Sequence, residues 1–464
     1  MIPTKIVLIG AGSASFGLNT LGALMRSKRL RGSQIALVDR NKAALDIVKR
    51  LADRLNQEWL ADMRITTTLD HQEALAGAGF VVSAIEAPPR EKLWRMDFDI
   101  PLKYGLRQPY AENGGPGGFA HAARNIGPVL EIAHDMEQAC PDALFINFSN
   151  PMMRVCDAVA RYSRIKLVGL CHQIKAGYGM VGYSLAKELG IELPEGHFIS
   201  THADPKYWIP LNVFARQAME KFDIKAAGLN HFTWMLDLRD KQTGADLYPL
   251  FRQRFAELNP AIEPLTHKIF DVFGLFPIPG DEHLCEYLPW VSDPQTRPWE
   301  KLDVSLYDWD AAEARRDSGH ALIDRMGRGE EAIDSLLDAD SEGALEVIES
   351  IAGAGNTYHL AVNLANDGYI TNLPQGAIVE VPGQFSGLGA RGVGVGSLPE
   401  GVAELCRREI SITQLTVDSV VKGDRQLALQ ALLFSPGITD LDVAKKVLDD
   451  YLVAYKEYLP SFWK

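Results

Sequence analysis

No stretch of the 464 residues comes near the roughly 20 consecutive apolar positions that a membrane-spanning helix needs. The chain also lacks a basic excess: 47 Lys and Arg stand against 60 Asp and Glu, a formal charge of −13. Nothing in that balance offers the electrostatic footprint of a nucleic-acid or anionic-lipid binder. Cysteines are few, and no two form a CxxC pair: Cys140, Cys156, Cys171, Cys285 and Cys406 are scattered and odd in number. This suits a reducing compartment better than a disulfide framework, and a cytoplasmic location is expected. Lys5 followed by Ile6-Val7-Leu8-Ile9 imitates the start of a signal peptide, but the apolar run is too short and leads straight into glycines. Internal repeats and low-complexity tails are absent. What remains is an ordinary globular composition, 47% hydrophobic and 23% charged, long enough for two or three folding units.

Ile6-Val7-Leu8-Ile9 reads as a buried parallel strand, being short, continuous and rich in β-branched residues. It runs into Gly10-Ala11-Gly12-Ser13-Ala14-Ser15-Phe16-Gly17 and then a helical pattern through Leu18, Leu21, Leu24 and Met25. Strand, glycine turn and helix form the context in which a dinucleotide is bound. Gly10 permits the tight turn, and Gly12 lets backbone approach a pyrophosphate at the helix start. A second apolar strand, Ile35-Ala36-Leu37-Val38, ends at Asp39, where a carboxylate would bond a ribose and favour NAD over NADP. Further apolar runs at 80–84, 143–147 and 166–170, separated by helical segments around 41–55 and 125–140, continue the βαβ rhythm. The expectation is an α/β protein with a Rossmann-like, doubly wound parallel sheet over residues 1–200. An α+β catalytic domain is expected over 201–464.

Ligands of such sheets sit beyond the carboxyl ends of the strands, so the residues just past each apolar run are the candidates. Glu86 follows the 80–84 strand. Glu112-Asn113-Gly114-Gly115-Pro116-Gly117-Gly118 is suited to close backbone approach and opens a helix bearing His121 and Arg124. Asn150-Pro151 follows the fourth run and Cys171-His172 the fifth. A thiol beside an imidazole could supply a soft metal ligand and a proton-transfer group, although a lone buried cysteine is more often a small core residue.

Taken together these pieces resemble glycoside hydrolase family 4, whose members are NAD-dependent glycosidases with a lactate-dehydrogenase-like fold. The resemblance is carried by Gly10-Ala11-Gly12-Ser13, Gly115-Pro116-Gly117-Gly118, Asn150-Pro151-Met152, Gly169-Leu170-Cys171-His172 and Gly228-Leu229-Asn230-His231. It continues through Glu282-His283, Glu286-Tyr287, Asn366-Asp367-Gly368, Asn372-Leu373-Pro374-Gln375-Gly376 and Gly396-Ser397-Leu398-Pro399. It implies NAD at Gly10, Gly12, Ser13, Ser15, Phe16, Asp39 and Glu86. It also implies a divalent metal, manganese by the family's habit, on Cys171 and His231. Asn150, His121, Arg124 and His283 become substrate contacts, His172 the candidate proton donor and Tyr287 the candidate base. His172 after the cysteine resembles the α-galactosidase, α-glucosidase and α-galacturonidase branches rather than the phosphosugar ones. Two departures are visible: His121 stands where the family usually has Arg, and the 60 residues from Cys171 to His231 exceed the expected spacing, so residues 200–226 read as an insertion.

The implied chemistry is oxidation of a sugar at carbon 3, removal of the carbon 2 proton by a base, elimination of the group at carbon 1, addition of water and return of the hydride. Ordinary glycosidases instead place two carboxylates across the scissile bond, and no such pair stands out here. An α-glycoside of an acidic sugar is the expected substrate, with Arg90, Arg95, Arg124, Arg154 and Lys175 as candidate cations. The NAD-dependent sulfoquinovosidases of family 188, an α-galactosidase of the same plan, a simple NAD-dependent dehydrogenase and a non-catalytic NAD-binding sensor are the other readings. A homodimer or homotetramer, with no nucleic-acid or membrane partner, is expected from the resemblance.

Overall fold

The five apolar runs become five of the six parallel strands of an α/β half-sheet: β1 (Lys5–Ile9), β2 (Gln34–Val38), β3 (Arg64–Thr68), β4 (Phe80–Ser83), β5 (Leu144–Asn147) and β6 (Lys166–Gly169). This computed structural model describes all residues of the chain except Ser15, residues 194–197, His202, Ala203, Ser292 and Pro294. The strands lie in the order β3-β2-β1-β4-β5-β6, the doubly wound arrangement expected. β1, β4 and β5 are buried along nearly their whole length because helices cover both faces, which is why they read as continuous apolar runs. β3, Arg-Ile-Thr-Thr-Thr at the sheet edge, is half exposed and carries no such run, so it escaped the sequence reading.

Beyond residue 200 the rhythm changes as expected to helices with antiparallel strands: β7 (Phe222–Leu229), β8 (Phe232–Asp240), β9 (Phe276–Pro277), β10 (Thr357–Ala365), β11 (Ile378–Ser386) and β12 (Gly389–Gly392). They do not form a separate sheet. β10 pairs antiparallel with β6 through Asn363 and Gly169, and the order continues β6-β10-β11-β7-β8-β9 with β12 on β11. The stretch read as an insertion holds the helix Pro205–Lys221, which packs on the helix Ile174–Ser184.

The second half also reaches back across the first. The helix Trp309–Arg328 lies against the helix Lys42–Glu58, and His320 Nε2 stands 2.8 Å from the carbonyl oxygen of Gly12. The C-terminal helix Leu441–Ala454 and the residue just after it anchor to a buried ion pair of the first half. Asp97, fully buried, receives both guanidinium nitrogens of Arg124 at 2.5 and 2.6 Å. Tyr455 Oη donates to the same carboxylate at 2.7 Å, its ring lying 4.5 Å beneath the guanidinium, and Tyr451 Oη donates to the Asp97 carbonyl. Arg124, expected at the substrate, is thus committed to Asp97 and is 2% exposed.

Removing one member of a buried pair leaves the other charge without compensation, which typically costs about 3–5 kcal/mol. Asp97→Ala is expected to lose that much in urea unfolding, and adding Arg124→Met to it should recover a substantial part. A stability unchanged in Asp97→Ala would contradict the anchoring role.

Candidate active site

The carboxyl ends of β1, β4, β5 and β6 open onto one edge of the sheet, because these strands are parallel and in register. At β1, Gly10 has φ +84°, and a Cβ there would lie 2.5 Å from the Ala84 carbonyl oxygen, so only glycine can make the turn. The amides of Gly10 and Ala11 bond the carbonyl of Val38 at the end of β2. Gly12 N donates to Asp39 Oδ2 at 2.8 Å, and a Cβ on Gly12 would stand 2.7 Å from that same oxygen. The loop and the acid at the end of β2 are therefore packed into one cradle. Backbone approaches closely here, and a carboxylate with lone pairs to spare lies beside it, which fits the pyrophosphate and ribose of a dinucleotide. Ser13 lies in the same turn and Phe16 opens the helix Phe16–Arg26; Ser15 falls outside the described residues.

At the end of β4, Glu86 meets Arg90 at 2.5 Å and His121 Nε2 at 2.9 Å. These two cationic partners overcome the burial penalty and hold the carboxyl down at about 2. The other ring nitrogen of His121 lies 2.9 Å from the Glu112 carbonyl. Both nitrogens of this buried ring are thereby committed to protein groups, so His121 positions Glu86 and the glycine segment and offers a sugar no free atom.

The glycine segment is not a loop throughout: the helix Gly115–Ala139 begins within it. Its glycines answer crowding. A Cβ on Gly114 would meet the Glu286 carbonyl oxygen at 2.4 Å, one on Gly117 would meet Ala111 at 2.6 Å, and one on Gly118 the Asn113 carbonyl at 2.4 Å. The neighbour that presses on Gly114 is the helix Asp281–Tyr287, on which His283 and Glu286 do share a face: His283 Nδ1 is 3.1 Å from Glu286 Oε2. Glu286, 1% exposed, also accepts from the amides of Glu112 and Asn113 at 2.6 and 2.7 Å. The carboxylate of Glu112 is brought to Asn150, whose Nδ2 donates to it at 3.2 Å. Glu112 is pushed up from the ordinary carboxylate range by burial, with Glu286 adding to the effect.

β7 and β8 are joined by a two-residue turn, Asn230-His231, with His231 in the left-handed region at φ +59°. A bulky side chain held there is uncommon and costs conformational energy. The turn delivers the imidazole to the end of β6: His231 Nε2 lies 3.4 Å from Cys171 Sγ. Two ligands on one first-row ion, at bond lengths of about 2.3 and 2.1 Å, stand between about 3.1 Å apart at a right angle and about 3.6 Å at a tetrahedral one. His231 Nδ1 is buried with no hydrogen-bond partner among the described residues. The His283 ring stacks on that of His231 with centroids 4.2 Å apart, and ligand atoms of Glu112, His231 and His283 lie within 4.8 Å of one another. Burial and the neighbouring His283 and His172 hold His231 well below the usual histidine range, so it is neutral and able to ligate. The Cys171 thiol is pushed up by burial and by the carboxylates of Glu380 and Glu342. The neutral imidazole of His231, with the Cys171 thiol beside it and Glu112 and His283 grouped with it, offers donors that fit a transition-metal ion.

His172 is exposed at the rim, its Nδ1 3.0 Å from Glu342 Oε1, a pairing that raises its proton affinity. Tyr287 is buried 4.8 Å from the Phe232 ring, its hydroxyl 3.5 Å from the Asn230 carbonyl, and burial pushes its phenol well up. Of the candidate cations, Arg95 faces Asp310, Lys175 faces Asp340, Arg90 faces Glu86, and Arg154 is buried behind the site. Sequence reading did not single out Glu112, Glu342 or Glu380. The first stood in view ahead of the glycines, but the other two carry no local signal.

Because Glu286 fastens the amides that begin the glycine segment, Glu286→Ala removes a shared acceptor worth about 1–3 kcal/mol locally. The amides of Glu112 and Asn113 should then exchange with deuterated water about ten- to a hundred-fold faster. Unchanged protection would show that the segment is held by other contacts.

Comparison with known proteins covers the whole chain. The description of the Family 4 glycosyl hydrolase matches residues 5–189, and that of its C-terminal domain matches residues 226–438. The intervening stretch holds the helix Pro205–Lys221. An alpha-glucosidase of Erwinia rhapontici is 32% identical, with 93% of each chain covered. An alpha-galactosidase of Bacillus subtilis is 28% identical over 99% of each chain, and an alpha-galacturonidase of Thermoanaerobacterium saccharolyticum is 28% identical over 99% of this chain and 97% of its own. Among solved structures, a 6-phospho-alpha-glucosidase from gut microorganisms, in complex with NAD and Mn2+, superposes with a TM-score of 0.79 at 21% identity over 99% of each chain. The likeness extends that fold over the entire molecule. By its sequence from end to end, and by the fold that sequence adopts, the chain belongs to family 4 of the glycosyl hydrolases.

Proposed function

We propose that the protein hydrolyses an α-glycoside of a small acidic sugar, with NAD as a catalytic rather than a consumed cofactor and with a divalent ion, manganese by preference. The observation that carries this reading is the approach of Cys171 to His231, with Glu112 and His283 grouped around the same imidazole, at the sheet edge where the Gly10–Gly12 turn and Asp39 also open. When bound, NAD would take and return a hydride at sugar carbon 3, and the ion would polarise the neighbouring oxygens as a Lewis acid.

Gly10, Gly12 and Ser13 would cradle the pyrophosphate, with the helix Phe16–Arg26 presenting its amino end, and Asp39 would take the ribose hydroxyls. Cys171 and His231 hold the ion. Asn150, fixed by Glu112, and His283, fixed by Glu286, orient the sugar hydroxyls. Tyr287 takes the carbon 2 proton and His172, oriented by Glu342, gives a proton to the leaving oxygen. Glu86, held by Arg90 and His121, would contact the cofactor. The acidic sugar is supported by the alpha-galacturonidases among the relatives and by Arg90, whose partly exposed guanidinium lies over the Trp94 ring at 4.7 Å. A reducing, cytoplasmic setting is supported by five cysteines of which none is paired.

The test is turnover of nitrophenyl α-galacturonide, α-galactoside and α-glucoside. Protein stripped of NAD and metal should be inactive, and both together should restore it with no net NADH formed. Carbon 2 should exchange its hydrogen with heavy water during turnover. Cys171→Ser should lose more than about 100-fold in rate. Equal turnover after complete removal of NAD would refute the proposal, and stoichiometric NADH would make the protein a dehydrogenase.

A further inference from the structure

Behind the site lies a small, partly open cavity of about 10 Å³, lined by Asn113, Pro151, Met152, Met153, Arg154, Asn230, Tyr287, Glu409 and Thr413. That is room for one water molecule, provided it finds two to four polar partners. The lining supplies them. Arg154 Nη1, Asn113 Oδ1 and Asn230 Oδ1 are all buried, and none has a hydrogen-bond partner among the described residues. Arg154 and Asn230 are 2% exposed and Asn113 5%. One donor and two acceptors left open around a water-sized space cost several kcal/mol unless something fills it. Two further residues line the same space, Tyr287 and Glu409, the latter 2% exposed on the helix Glu400–Lys422.

We propose that one water enclosed here links Tyr287 to Glu409, and that Arg154, Glu409 and this water relay the proton of Tyr287 away from the sugar. The inference rests on the reading of Tyr287 as the carbon 2 base. Its balance is that of a proton alone. Tyr287 O–H gives its proton to the water, which passes one of its own to the Glu409 carboxylate, leaving a phenolate and a carboxylic acid. The phenolate takes the carbon 2 proton, and the reverse transfer resets the pair when that proton is returned.

An isolated phenolate buried at Tyr287 would be strongly disfavoured, as its raised proton affinity shows. A transfer between Tyr287 and Glu409 leaves the total charge of the pocket unchanged, and Arg154 interacts with both groups. Burial lifts Glu409 to about 7, against the attraction of Arg408 and Arg154 and with the help of Glu286, so it can hold either state near neutrality. Arg154 and Glu409 touch no sugar or cofactor in this scheme. They are positioning and relay groups.

Glu409→Gln keeps the shape and removes the acceptor. With the best of the three nitrophenyl glycosides, KM should stay within about two-fold while kcat falls ten-fold or more. Exchange of the carbon 2 hydrogen into deuterated water should fall in parallel, while substrate still reduces bound NAD, read as absorbance of the enzyme-bound NADH. Glu409→Asp should restore part of the exchange. Exchange unaltered in folded Glu409→Gln overturns the relay. Exchange unaltered in Tyr287→Phe overturns the reading of Tyr287 itself, a separate failure. The unsubstituted holoenzyme gives the check that no folding defect can blur: carbon 2 exchange measured across mixtures of light and heavy water should curve, as for two protons in flight, and a straight line overturns the proposal.

Discussion

One buried carboxylate, Glu286, gathers the site. It accepts the amides that begin the glycine segment, and it fixes the His283 ring. A carboxylate in the interior is tolerable only when its lone pairs are filled, and backbone N–H groups fill them without adding a competing side chain. The consequence runs in both directions along the chain. The helix Asp281–Tyr287 must come so near the segment that Gly114 has no room for a Cβ, and the helix Gly115–Ala139 starts in a place where three more glycines are crowded by backbone or by Arg154 and Gln108. Glu112 is thereby aimed at Asn150 and placed beside His231 and His283. The sugar-side chemistry thus depends on an interaction between residues 174 positions apart, made possible by what the glycines leave out.

The parallel half of the fold was legible because its central strands are covered on both faces, so burial writes itself as an unbroken apolar run. Ile6–Ile9 and Phe145–Ile146 show this directly. β3 was not legible because a half-exposed edge strand needs no such run. The helix Trp309–Arg328 reads as an ordinary amphipathic segment, and nothing local says that His320 will brace the carbonyl of Gly12. At the site, Cys171 was legible from its place beyond the fifth strand, but His231 as its partner was legible only through family resemblance. Sixty residues separate them, and the sheet order that brings them to 3.4 Å inserts two later strands between β6 and β7. Arg124 and His121 looked like ligand groups for the same reason that makes them structural: a cation kept in an interior needs a partner, and each has found one in the protein.

The second buried carboxylate shows how the separation of thiol and imidazole is set. Glu380 on β11 accepts from Asn230 Nδ2 at 2.7 Å, from Thr233 Oγ1 at 2.5 Å and from Asn363 Nδ2 at 3.0 Å. Asn230 and Thr233 flank His231, and Asn363 also reaches the carbonyl of Gly169, two residues before Cys171, at 3.4 Å. A single side chain therefore ties the turn that carries the imidazole to the strand that carries the thiol. The left-handed φ of His231 is sustained by this tie, since a strained residue persists only where its surroundings over-determine it. Burial pushes Glu380 up from the carboxylate range while its three donors pull it down. Kept ionised, it would place negative charge behind Cys171 and oppose formation of a thiolate; kept neutral, it would lose one acceptor site. The three donors offset part of the burial penalty on this carboxyl and fix its direction, and with it the approach of His231 to Cys171.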